Sequence, residues 1–147
     1  MDGIARSKLA EAARALVAGR ITNDQFDERV PCSTDPAIGE IYEKGFWTLY
    51  DDLRVHKLVG SRRLDKEQRE FAARCIMFLK SGLPYRWPVT STRRLLLGNL
   101  LTLGLYGRLV RRRLLKAGDP TVWPFISQDE YHLALCSPAY LRGPVPN

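Results

Sequence analysis

Histidine and cysteine are scarce in this chain of 147 residues: two histidines, His56 and His132, and three cysteines, Cys32, Cys75 and Cys136. Their spacing offers none of the usual zinc signatures, which need close ligand pairs such as CxxC or HxxxH. An odd number of widely separated cysteines is also a poor disulfide framework, and a reducing compartment suits it best. Long apolar runs are lacking as well. The most apolar stretch, Leu95 to Gly107, has 13 residues, against about 20 for a membrane span. Arg93 and Arg94 precede it and Arg108 follows. The opening Met1-Asp2-Gly3-Ile4-Ala5-Arg6 has no unbroken apolar core of the kind a secretory signal carries. The alternation that marks strands is missing, as are internal repeats and any glycine-rich phosphate loop after a strand. Together these absences predict a soluble, cytoplasmic protein with neither metal nor cofactor.

What the chain does hold is ordinary for a globular domain. Hydrophobic residues make up 45% and charged ones 27%, which excludes wholesale disorder. The formal charge is +7, and it is unevenly spread. Residues 1–52 carry a net −4, residues 53–118 a net +13 and residues 119–147 a net −2. Either the acidic ends pack on the basic middle and cancel it, or a basic face is offered to something anionic.

Helix signals recur along the chain. Ile4, Leu9, Ala12, Ala13, Leu16 and Val17 form an apolar stripe, and Gly19 suits a left-handed cap. Thr22 with Gln25 forms a capping box, and Ile21 and Phe26 hold the positions of a hydrophobic staple. Residues 4–30 therefore read as two helices joined by a tight turn. The string Leu9-x6-Leu16-x2-Gly19-x-Ile21-Thr22-x3-Phe26-x2-Arg29 resembles the short helical hairpin known as the SHOCT domain, over residues 9–30. The resemblance implies a part in oligomerisation or attachment, although the family's hairpin usually lies at a C-terminus.

Asp35-Pro36 predicts a third helix running to about Lys57, with Ile38, Ile41, Tyr42, Gly45, Phe46, Leu49 and Leu53 on one side. Asp65 with Gln68 opens a fourth helix, on which Phe71, Cys75, Phe78 and Leu79 share a face, and Gly82 ends it. The prolines of Leu83-Pro84-Tyr85-Arg86-Trp87-Pro88 exclude regular helix there. Residues 91–117 form the longest helical stretch, apolar all round as far as Tyr106, which predicts a central helix buried by its neighbours. Ser127 with Glu130, flanked by Ile126 and Tyr131, caps a last short helix, and residues 138–147 read as a loose tail. The expected fold is a single all-α domain, a compact bundle of about six helices around residues 91–117. Within it, residues 1–30 form a hairpin that can be semi-independent.

The basic end of the long helix is the most distinctive candidate site. Arg108, Arg111, Arg112, Leu115 and Lys116 fall on one arc at 100° per residue, while Val110, Leu114 and Ala117 face the other way and Arg113 sits between. Such a strip can meet phosphates, anionic lipid or an acidic protein surface, or it can simply complement the helix dipole and cover apolar surface with its stems. Arg62 and Arg63 are expected helpers. For nucleic acid, Arg93 and Arg94 would add charge and Tyr85 and Trp87 would add stacking planes, although no recognised nucleic-acid motif is present. Asp52 and His56, four apart on the expected third helix, could join Cys75 in a nucleophilic constellation; the alternative is a satisfied buried pair beside a cysteine acting as apolar filler. Cys32 lies in a loop with no nearby cation to activate it, and His132 has no obvious partner. The reading that follows is a non-enzymatic protein that binds another macromolecule, foremost a protein with an acidic surface. Nucleic acid on the same strip comes second, and a membrane surface at residues 95–113 third.

Overall fold

The computed structural model describes residues 1–51, 53–89, 113–114 and 116–136. Among these the protein is all-α, with five α-helices and no strand. They are α1 (Gly3–Val17), α2 (Asn23–Asp27), α3 (Pro36–Lys44), α4 (Lys66–Ser81) and α5 (Gln128–Cys136), with single 3₁₀ turns at Phe46–Leu49, Gly60–Arg62 and Pro120–Val122. The expected central helix over 91–117 lies outside the described residues except at its last turn, and so does the tail 138–147.

Local chemistry sets the helix ends. The Asp2 side chain accepts from the Ala5 N–H at the start of α1, and Gly19 turns the chain with φ +66°. Thr22 and Gln25 close a reciprocal capping box on α2, and Asp65 and Gln68 do the same on α4. Gly82, at φ +72°, ends α4 in the left-handed conformation, where a residue without Cβ is unstrained. The Glu130 N–H donates to Ser127 Oγ, while the Glu130 carboxylate accepts from the Ile126 N–H.

The core forms where α1 lies along α4, with α2 and α3 against α1 and α5 against α4. Leu9, Leu16, Phe26, Ile41, Phe46, Phe78 and Phe125 are fully or almost fully buried there. Burying each such side chain stabilises the fold by about 1.5–3 kcal/mol. The alanines Ala5, Ala10, Ala12 and Ala13 give α1 a flat inner face. The Lys80 ammonium, on α4, reaches Ser7 Oγ at 3.0 Å and the Glu11 carboxylate at 3.6 Å, both on α1.

The third helix is shorter than its apolar pattern suggests. It ends at Lys44, not near Lys57, because Gly45 leaves helical geometry at φ −97°, ψ −82°. A Cβ at that position would lie 2.4 Å from the Ile41 carbonyl oxygen and 3.4 Å from Cys75 Sγ. Only glycine permits the chain to turn this tightly against the Ile41 carbonyl of α3 itself, while Cys75 on α4 lies at ordinary contact distance. Phe46 then drops into the core edge-on to Phe26, with ring centroids 5.7 Å apart. Tyr42 and Tyr50 close the cluster by donating their hydroxyls to Asp27 Oδ1. Tyr50 is extended and Leu53 lies in a turn, its N–H donating to the Asp51 carboxylate, so Leu53, assigned by its spacing to the buried face, is instead 86% exposed.

One buried ion pair ties the elements together. Arg6 is 1% exposed, and its guanidinium donates to Asp35 at 2.7 and 3.0 Å and to the Leu83 carbonyl at 2.6 Å, 5.6 Å from the centroid of the Phe78 ring. Asp35 also accepts from the Asp2 N–H and caps α3 through the Ala37 N–H. Burial alone would push the Asp35 carboxyl up. The hydrogen bonds from Arg6, Asp2 and Ala37, with the Arg6 charge, outweigh it and hold the group at about 2.

Candidate binding surface

The segment after the Phe46–Leu49 turn is held by Asn23. This side chain is 1% exposed. Its amide nitrogen donates to the carbonyls of Asp51 and Arg54, and its amide oxygen accepts from the His56 N–H. The Asn23 N–H in turn donates to the His56 carbonyl. Thr22 and Lys57 form an isolated antiparallel bridge beside it, and Leu58 plugs into the core. Asn23 thus replaces a strand partner for a stretch that has none, satisfying backbone groups that would otherwise cost free energy.

With this backbone clamped, the outward side chains form a ridge. Leu53, Val55 and Val59 are 86%, 63% and 54% exposed. Arg54, Lys57, Arg62 and Arg63 are exposed among them, and residues 53–64 hold no acidic side chain. Among the described residues none of these four cations takes part in an ion pair or a side-chain hydrogen bond. A shallow hollow of about 430 Å³ adjoins the ridge, bordered by Thr48, Tyr50, Asp51, His56 and Arg62.

The sequence-based candidates divide as follows. Arg62 and Arg63 belong to the ridge. Lys116 and Arg113 are exposed, whereas Arg108, Arg111, Arg112 and Leu115 lie outside the described residues, as do Arg93 and Arg94. Asp52 is also outside them. His56 is not on a helix: its Nδ1 lies 2.7 Å from the Arg54 carbonyl oxygen. Cys75 is fully buried, and burial pushes its thiol well above the ordinary range, so it is a poor nucleophile. Cys32 is exposed, and exposed His132 lies against the Tyr131 ring.

Tyr85 and Trp87 are not stacking planes. Trp87 is 5% exposed, and its indole N–H reaches the carbonyl oxygens of Pro124 and Phe125, each at 3.1 Å. The Tyr85 hydroxyl donates to Glu40 and accepts from the Trp123 indole. Both aromatics fasten the chain after α4 to the segment before α5. Among the described residues no three His, Cys, Asp or Glu side chains converge as metal ligands, and no helix is long and apolar enough to cross a membrane. Compared with family models, curated proteins and solved structures, the chain gives no match.

Sequence reasoning missed Asn23, Leu53, Val55 and Val59. The available signal was the run 53–64 itself, in which aliphatic and cationic residues mix without a carboxylate.

Proposed function

We propose that this protein has no catalytic activity of its own and acts by holding a macromolecular partner, foremost a protein with an acidic surface. The contact face is cationic. It comprises Arg62 and Arg63 on the ridge together with Arg108, Arg111, Arg112 and Lys116 at the end of residues 91–117, the stretch assigned to the centre of the bundle. The SHOCT-like likeness of residues 9–30 agrees with an attachment role.

One observation carries this reading: aliphatic side chains stand exposed among cations that have no acceptor in the described protein, on a backbone already fixed. Exposed apolar groups supply the desolvated centre of an interface, and arginines supply directional contacts around it. A fixed backbone reduces the ordering cost of association. Charge complementarity then selects an acidic partner and speeds encounter.

The test is quantitative affinity capture from the source cell's lysate, with the native chain beside the double variant Arg62→Glu, Arg63→Glu. Expected is a protein retained by the native chain and lost with the variant, at equal helical content by circular dichroism. Equal retention of every captured protein would remove Arg62 and Arg63 from the contact. Binding instead to a 20-base-pair duplex, with affinity falling steeply with salt, would replace a protein partner by nucleic acid.

A further inference from the structure

A second site lies away from the ridge, where α1, α4 and α5 leave a cleft of about 330 Å³. This volume falls at the lower end of small-ligand pockets, roughly 300–1,000 Å³. Ile76 and Met77, both almost fully buried, line it with Ala73, Tyr131 and Leu135. The lining is mostly carbon, yet a cation is fixed at its edge. The Arg74 Nε donates to the Trp123 carbonyl at 2.8 Å. The guanidinium carbon lies 5.6 Å from the Phe71 centroid and 5.9 Å from that of Tyr131. Two rings and a carbonyl therefore orient this group, and its terminal nitrogens donate to no acceptor among the described residues. Arg14, in the last turn of α1, lines the same cleft. Glu70 also borders it, with Lys66 Nζ 3.8 Å from its carboxylate.

We propose that this cleft binds a small aliphatic carboxylate of the medium-chain fatty-acid class, its head on Arg74 and its chain against Ile76, Met77 and Leu135. A planar, pre-oriented guanidinium matches a carboxylate through two parallel N–H donors. A compact inorganic anion would leave the carbon walls wet, and a neutral alcohol would offer the two terminal nitrogens of Arg74 one acceptor atom where a carboxylate offers two. The site is independent of the ridge and of the function proposed for it.

The test uses the full chain titrated with sodium decanoate, below its micellar range, and with decanol and sodium acetate as controls. Methyl NMR signals of Ala73, Met77 and Leu135 report the site. Expected is saturable binding of one decanoate, with decanol and acetate each at least ten-fold weaker. Arg74→Gln should reduce decanoate affinity to that of decanol. Ala73→Phe, an exposed position at the cleft, should abolish binding of both while retaining Arg74, which decides the matter even if Arg74→Gln does not fold. No saturable binding, equal affinity for decanol, or signals moving only in residues 53–63 would overturn the proposal.

Discussion

Arg6 shows how much one side chain can contribute. It lies in an alanine-rich helix, where an arginine is ordinarily solvated, yet it is the largest fully buried side chain among the described residues. Breaking a buried pair by removing one partner costs about 3–5 kcal/mol, because the other charge stays uncompensated. Arg6→Met should therefore lower the unfolding free energy by about that much in urea melts. Arg6→Met with Asp35→Leu should lose less than Arg6→Met alone. The acid limb carries the same signature. A carboxyl held at about 2 in the folded protein, against 3.8 ordinarily, confers stability that is complete above pH 3.8. That stability, about 2 kcal/mol, drains away as pH falls toward 2. A series of melts from pH 5 to pH 2 should show this slope in the native chain and a smaller one in Arg6→Met. Neither Arg6 nor Asn23 could be identified from the sequence, since their partners lie some 30 residues away and spacing reveals only neighbours three or four apart.

Helix boundaries were legible wherever they rest on local chemistry. The boxes at Thr22–Gln25 and Asp65–Gln68 and the stops at Gly19 and Gly82 depend on residues within one turn. The break at Gly45 was not legible, because it depends on a backbone turn so tight that a Cβ would meet the Ile41 carbonyl oxygen, which apolar spacing does not reveal. The two helix-ending glycines, Gly19 and Gly82, both at positive φ, differ in a measurable way. At Gly82 an added Cβ meets nothing within 4 Å, so Gly82→Ala should cost only the left-handed strain, about 1–2 kcal/mol. At Gly19 the same atom would fall 2.5 Å from Val59 Cγ1 and 3.3 Å from the Leu58 carbonyl oxygen. Gly19→Ala should cost more and also loosen the ridge. Paired thermal melts, with limited proteolysis between residues 53 and 63, would check both. A Gly19→Ala variant as stable as Gly82→Ala would contradict the packing described.

The split of charge into a −4 opening and a +13 middle is only partly met by internal pairing among the described residues. Lys80 meets Glu11 on α1, Arg86 meets Glu130 on α5, and the ridge cations meet nothing among the described residues. Arg62 and Arg63 could be found from composition. Leu53, Val55 and Val59 could not, because a helical reading of that segment turned Leu53 inward and gave the others no role. Reversing Arg62 and Arg63 to glutamate should leave stability within about 0.5 kcal/mol of the native chain, as for surface changes without partners. A urea midpoint shifted well beyond that would mean these side chains serve the fold.

The Arg6 guanidinium also bears on how the protein opens. By joining the second helical turn of the chain to residue 35 and to the carbonyl beyond α4, it prevents the first helix from fraying alone, since its release would strand a charge in the interior. Amide protons of α1 and α4 should then exchange with deuterium together, at the rate of global unfolding, as one cooperative unit. Replacing Arg6 by methionine, with leucine at Asp35, would uncouple them and let the α1 amides exchange first.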